Sequence, residues 1–126
     1  VRFSAGGVLS TGDISISVEE RLLNDGMGRH AILLVPHHGS MTSSGRRFVN
    51  QVKPRVAIVT ARLGNHFGFP RPEIEQRYRE SGAAFWSTGD CGALHLVLRA
   101  NGDIEAESAR NVRKRIWRWP AGTNCP

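Results

Sequence analysis

"AILLVPHHGS", Ala31 to Ser40, is a run of five apolar residues that breaks off into Pro36, two histidines, a glycine and a serine. An apolar run of this length is typical of a strand buried on both faces. Burial accounts for Ala31 to Val35. It does not account for His37 and His38, followed at once by the small residues Gly39 and Ser40. In open α/β sheets, ligands gather outside the carboxyl ends of the strands, so the break is read as a candidate site as well as a turn.

Working outward, the same pattern recurs. "RVAIVT", Arg55 to Thr60, is a second buried strand, and "VLS", Val8 to Ser10, precedes "TGD". "VRFSA" ahead of Gly6 and Gly7 reads as a further strand and turn. Between these runs, "SVEE", Ser17 to Glu20, has the form of a capping box. Its Ser17 hydroxyl is expected to cap the Glu20 N–H, opening a helix to about Asn24. "SSGRRFVNQV" predicts a second helix that stops before Pro54. "PRPEIEQRYRESG" predicts a third, with Pro72 in its first turn and Gly82 after its end. "AAFWS" is a short strand, and "ALHLVLRANGDIEAES" alternates around Asn101–Gly102, a strong hairpin signal. Alternating strands and helices argue for an α/β fold with a largely parallel sheet, crossover helices and an antiparallel edge.

The 126 residues suit one domain, and 40% hydrophobic residues exclude a disordered chain. No apolar run approaches the ~20 residues of a membrane helix, and "VRFSAGG" lacks the apolar core of a signal peptide. The net charge of +6 favours polyanionic partners. Much of it lies in "RNVRKRIWR", Arg110 to Arg118, either a nucleic-acid contact or a solvated terminal segment. Cys91 and Cys125 show neither metal-ligand spacing nor a disulfide framework.

The strand ends carry the candidates. "STGDIS" places Asp13 beyond the first strand; its carboxylate is a hard metal ligand or an acidic group favoured near a helix N-terminus. His37 and His38 offer imidazoles for metal or catalysis, or serve as structural strand-end residues. The hydroxyls of Ser40, Thr42, Ser43 and Ser44 stand where the second helix begins, either at a phosphate site or as caps. The third strand leads into "TARLGNHFG", with Asn65 and His66.

Taken together, "LSTGD", "LLVPHHGSMTSS", "VKPRVAIVTA", "NHFGFPRPE" and "STGDCGALHL" resemble the second half of the metallo-β-lactamase-like domain of ComEC-type competence DNA-uptake proteins, over roughly Val8 to Leu98. The resemblance implies half of an αββα sandwich over residues 1–118, with 119–126 as a tail. It implies a metal-dependent phosphodiesterase, a nuclease acting on incoming DNA, with Zn or Mn in the full domain. Asp13 would bridge two ions and His38 would hold one. His37 would act catalytically, on the water or the leaving oxygen. Ser40, Thr42, Asn65, His66 and Arg71 would contact phosphate or the DNA backbone. The implied partners are single-stranded or duplex DNA and the rest of the same polypeptide, including a membrane channel, with no small-molecule cofactor. The implied location is a soluble domain on the extracytoplasmic face of an inner or plasma membrane. Two departures stand out. The family's "HxHxDH" motif is nowhere in this chain, so the fragment alone is expected to be inactive and to hold no metal tightly. The loop reads "FGFP" where the family commonly has "FGHP", putting Phe69 in the place of an imidazole. The alternative is a non-catalytic DNA- or partner-binding module with a degenerate metal site.

Overall fold

The structure, a computed structural model, describes residues 6–112 and 125–126. The strand expected before Gly6 and the basic stretch beyond Val112 lie outside the described residues, as does most of the expected tail. Three apolar runs and one mixed run form a four-stranded sheet: β1 (Val8–Ser10), β2 (Ile32–Leu34), β3 (Val56–Val59) and β4 (Ala84–Ser87). Neighbours pair in chain order, and every pair is parallel. Ser10, Leu34, Ile58 and Trp86 share one register row. All four carboxyl ends therefore reach the same edge.

Each parallel step needs a crossover. These are α1 (Ile16–Asn24), α2 (Arg46–Val52) and α3 (Pro72–Glu80). Alternation along the strands sorts the sheet into two faces. Leu9, Leu33, Ala57 and Phe85, a second register row, turn to the helices. There they pack with Leu23 of α1, Phe48, Val49 and Val52 of α2, and Ile74 and Tyr78 of α3. Of the seven residues of β2 and β3, Ile32 through Leu34 and Val56 through Val59, all but Leu34 are buried, which is why these runs lack polar alternation.

The other face carries Ile32, Leu34, Val56, Ile58 and Trp86 and is covered by the C-terminal hairpin, β5 (Leu94–Leu98) and β6 (Ile104–Ser108). The hairpin is a separate two-stranded sheet rather than an antiparallel edge of the first. Its apolar residues, Leu94, Leu96, Leu98 and Ile104, fall at alternate positions and lie on the main sheet. Packing face to face buries that stripe; joining the edge would have left it in water. The turn is a loop in which Arg99 and Asp103 are still hydrogen-bonded and Gly102 takes the positive φ of 89°.

Two local expectations need correction. The N-cap of α1 is Ser15, and its hydroxyl bonds the Ser17 hydroxyl at 2.8 Å, so Ser17 is inside the helix and caps nothing. Glu20 pairs with Arg47 of α2. Cys91 lies in a short helix, α4 (Thr88–Cys91), and is bonded to Cys125, with Cα atoms 5.5 Å apart. The disulfide and the Pro126 carbonyl, which accepts from Ser108 Oγ at 3.0 Å and Asn111 Nδ2 at 2.7 Å, hold the chain's last residues against α5 (Ala109–Val112). No helix among the described residues is long and apolar enough to cross a membrane.

Candidate functional site

The carboxyl edge of the sheet is built from three loops that bond to one another. The His37 N–H donates to Gly12 O at 3.1 Å, joining the loop after β2 to the loop after β1. The Arg71 N–H donates to Gly39 O at 3.0 Å, joining it to the loop after β3. The middle loop is a tight turn, Pro36–Gly39, in which His37 (φ 49°), His38 (φ 54°) and Gly39 (φ 80°) are all left-handed. Two consecutive non-glycine residues in this region are uncommon and cost roughly 1–2 kcal/mol each. The turn swings both imidazoles out over the sheet edge. Gly39 is needed twice over, for its φ and because a Cβ there would meet the Pro70 Cβ at 2.6 Å.

This places His38 Nε2 3.8 Å from Asp13 Oδ1. On the other side of the ring, His38 Nδ1 is 2.6 Å from the Thr60 carbonyl at the end of β3. A carbonyl only accepts, so Nδ1 carries the proton and Nε2 of the neutral ring presents its lone pair toward Asp13. Histidine metal ligands are held in this way, with the second ring nitrogen donating to a carbonyl or carboxylate. Two ligand atoms about 2.0–2.2 Å from one tetrahedral ion lie roughly 3.4 Å apart, so the Asp13–His38 separation suits shared coordination. Among the described residues no group of three or more His, Cys, Asp or Glu side chains comes together, and a complete ligand set needs donors from outside them.

His37 is held differently. Its Nδ1 is 3.2 Å from Thr42 Oγ1, and Thr42 Oγ1 is 3.0 Å from Ser40 Oγ. Ser40 is buried, so its hydroxyl orients Thr42 and, through it, His37. Asp13, His37, His38 and Asn65 line one cavity of about 490 Å³ with Thr60, Phe67 and Phe69. Ser40, Thr42, His66 and Arg71 stand beside it. The amide of Asn65 is occupied within its own loop: Nδ2 donates to Arg62 O (2.8 Å) and Phe69 O (2.6 Å), and Oδ1 accepts from Phe69 N–H (3.0 Å). Arg71 lies 5.7 Å from the Phe69 ring centroid, and His66 packs on Phe67 with its ring tilted by 39°.

Beneath the histidine loop is a buried carboxylate that pattern reading passed over. Glu19 of α1 is fully buried and accepts from the Ser44 N–H (2.6 Å) and the Gly45 N–H (2.8 Å), just ahead of α2. The anion position at this helix start is thus filled from within the protein. Ser43 Oγ donates to Pro36 O and Ser40 O, and Ser44 Oγ bonds the Tyr78 hydroxyl at 2.9 Å. Arg77 donates to Ser44 O. Burial pushes the Glu19 pKa above 4.5, opposed by the two backbone donors and by Arg77. Burial likewise raises the Tyr78 phenol. The available signal was Glu19 itself, four residues from the core residue Leu23 and so on the same helix face. Thr60 acts through its carbonyl, which no side-chain pattern reveals.

No family model matches the chain, and no solved structure does. Among curated proteins, the chain is similar to the competence protein ComA of Neisseria gonorrhoeae, 34% identical over 121 residues that cover 93% of this chain and 17% of that protein. It is also similar to recombination protein 2 of Haemophilus influenzae, 32% identical over 71% of this chain and 11% of that protein. ComE operon protein 3 of Bacillus subtilis is 34% identical over 52% of this chain and 9% of that protein. The chain is therefore homologous to a segment of competence-related proteins, and it spans less than a fifth of the length of each.

Proposed function

We propose that this chain is part of a metal-dependent phosphodiesterase domain, of metallo-β-lactamase type, in a DNA-uptake membrane protein that serves natural transformation. The names of the competence relatives support the setting. The observation that carries the chemistry is the Asp13–His38 pair, a carboxylate and an imidazole lone pair 3.8 Å apart at the carboxyl ends of neighbouring strands. Zn²⁺ or Mn²⁺, when bound, would supply an activated water and charge neutralisation at the phosphate.

The chain's own residues do the rest. Thr60 fixes the His38 ring through Nδ1 so that Nε2 faces the cavity. Asp13 supplies a carboxylate exposed to the same space. His37, set by Thr42, is the residue to pass a proton to a leaving oxygen, because its ring lines the cavity without being tied to Asp13. Arg71, whose guanidinium lies over the Phe69 ring that lines the cavity, is a cation for the DNA backbone. The Cys91–Cys125 disulfide supports an oxidising compartment and hence the extracytoplasmic side of the membrane.

A second reading is favoured by one observation: only two donors of a metal site meet among the described residues. On that reading the chain is a binding module without catalysis. Cleavage of a labelled oligonucleotide in Mn²⁺ by the protein that carries this chain separates the two. Asp13→Asn is expected to lower cleavage by about 100-fold or more; cleavage unaffected by Asp13→Asn and by His38→Ala overturns the enzymatic reading.

A further inference from the structure

The cavity that holds Asp13 and His38 has an aromatic wall. Phe67 and Phe69 both line it. Their rings are stacked, with centroids 5.7 Å apart and planes 18° from parallel. His66 lies on Phe67 at 3.9 Å, and Phe69 meets the edge of His37 at 6.3 Å. The ladder therefore runs from solvent to the candidate catalytic histidine. Phe67 is 59% exposed, so its ring is not part of either core cluster.

The ladder is held in place by the loop that carries it. Asn65 takes both the N–H and the carbonyl of Phe69. Pro70 abuts Gly39, and the Arg71 guanidinium lies over Phe69. A short loop bound at so many points costs little to order when a ligand arrives, and an aromatic side chain has few rotatable bonds to freeze. The wall is thus a preformed apolar surface beside a polar, metal-ligating pair.

A phosphodiester carries two chemically different neighbours, a charged backbone and a flat base. We propose that Phe67, backed by Phe69, seats an unpaired nucleobase beside the Asp13–His38 pair. Phe67 then determines specificity, selecting single-stranded over duplex nucleic acid. In a duplex both faces of each base are already stacked; only an unpaired base has a face to offer a ring. Stacking of this kind is tolerant of sequence. The inference rests on the nucleic-acid reading of the site but not on cleavage or on a bound metal.

The test is fluorescence anisotropy with the 126-residue chain in EDTA, against three probes: a single-stranded oligothymidylate, its duplex, and an abasic strand of equal length. The intact chain should prefer the oligothymidylate to both others. Phe67→Ala should weaken that binding roughly 5- to 100-fold and leave duplex and abasic binding unchanged. Phe67→Trp should restore it, and Phe67→Leu, which keeps an apolar side chain but no ring, should not. Equal loss on all three probes, no loss on any, rescue by leucine, or no preference for the oligothymidylate in the intact chain would each overturn the proposal. Failure of the cleavage assay on Asp13→Asn would leave these binding ratios untouched, so the two readings fail separately.

Discussion

Gly39 and Pro70 approach so closely that a Cβ on Gly39 would stand 2.6 Å from the Pro70 Cβ and 3.0 Å from its Cα. Through this contact the histidine loop and the aromatic loop are one unit. The glycine's φ of 80° adds a second barrier to any side chain. Gly39→Ala is expected to cost about 2–4 kcal/mol, the sum of left-handed strain and overpacking. Urea unfolding measures it. Because Pro70 cannot yield without moving Phe69, the substitution should also abolish any oligonucleotide preference set by Phe67.

Glu19 gives a pH dependence with a definite sign. Its folded pKa is raised above the ordinary 4.5, chiefly by burial. A raised folded pKa means that the folded state binds the proton more tightly. The contribution is therefore fully present below 4.5 and is lost as pH rises through the folded pKa. Glu19→Gln should remove this component. The difference in urea midpoint between wild type and variant should shift across the window just above 4.5 and be flat outside it. At pH 7 the variant should still be less stable by about 1–3 kcal/mol, since an amide cannot accept from both Ser44 and Gly45 as the carboxylate does. A pH-independent difference would contradict the assignment.

The parallel sheet was legible in the sequence because burial on both faces leaves an unbroken apolar run, as in Ala31–Val35 and Val56–Val59. The meeting of Asp13 with the histidines followed from that, since parallel strands in register bring their ends to one edge. What was not legible depends on tertiary contact. The S-x-x-E pattern at Ser17 and Glu20 is a local signal that the fold does not use: Ser17 lies inside α1, Glu20 pairs with Arg47, and the carboxylate that matters is Glu19, whose partners come from the next loop. The hairpin's alternation predicted its turn but not the sheet face that it covers. No spacing rule pairs Cys91 with Cys125, because the intervening chain must fold before their distance is set. The left-handed pair His37–His38 has no local signature beyond the following glycine.

Asp13 is exposed, and among the described residues its carboxylate pairs with His38. A residue retained for stability should show a cost when altered; one retained for chemistry should not. Asp13→Asn is expected to change unfolding free energy by no more than about 0.5 kcal/mol, the range of surface substitutions. A loss near 2 kcal/mol would reassign Asp13 to the scaffold and would remove the main support for a metal-ligating role. Thermal and urea unfolding of the variant, run beside the cleavage assay, provide the comparison.

The disulfide should matter most for the hairpin layer. Cys91 follows β4, and Cys125 lies beyond β6 and α5, so the bond encloses the whole element that covers the second sheet face. With a separation of 34 residues, loop-closure entropy gives a stabilisation of roughly 3–4 kcal/mol. Cys91 is itself buried, so the unbonded thiol would keep its packing but lose its hold on the chain end. Cys125→Ser is therefore the cleaner probe, since Cys91→Ser also introduces a hydroxyl into the core. Hydrogen exchange should show the amides of Leu94–Leu98 and Ile104–Ser108 losing protection in Cys125→Ser and in reduced wild type alike, while those of β2 and β3 lose less. If the hairpin amides are unaffected, the sheet-to-hairpin core of Ile32, Ile58, Leu94 and Leu96 is sufficient by itself and the bond serves only the chain end.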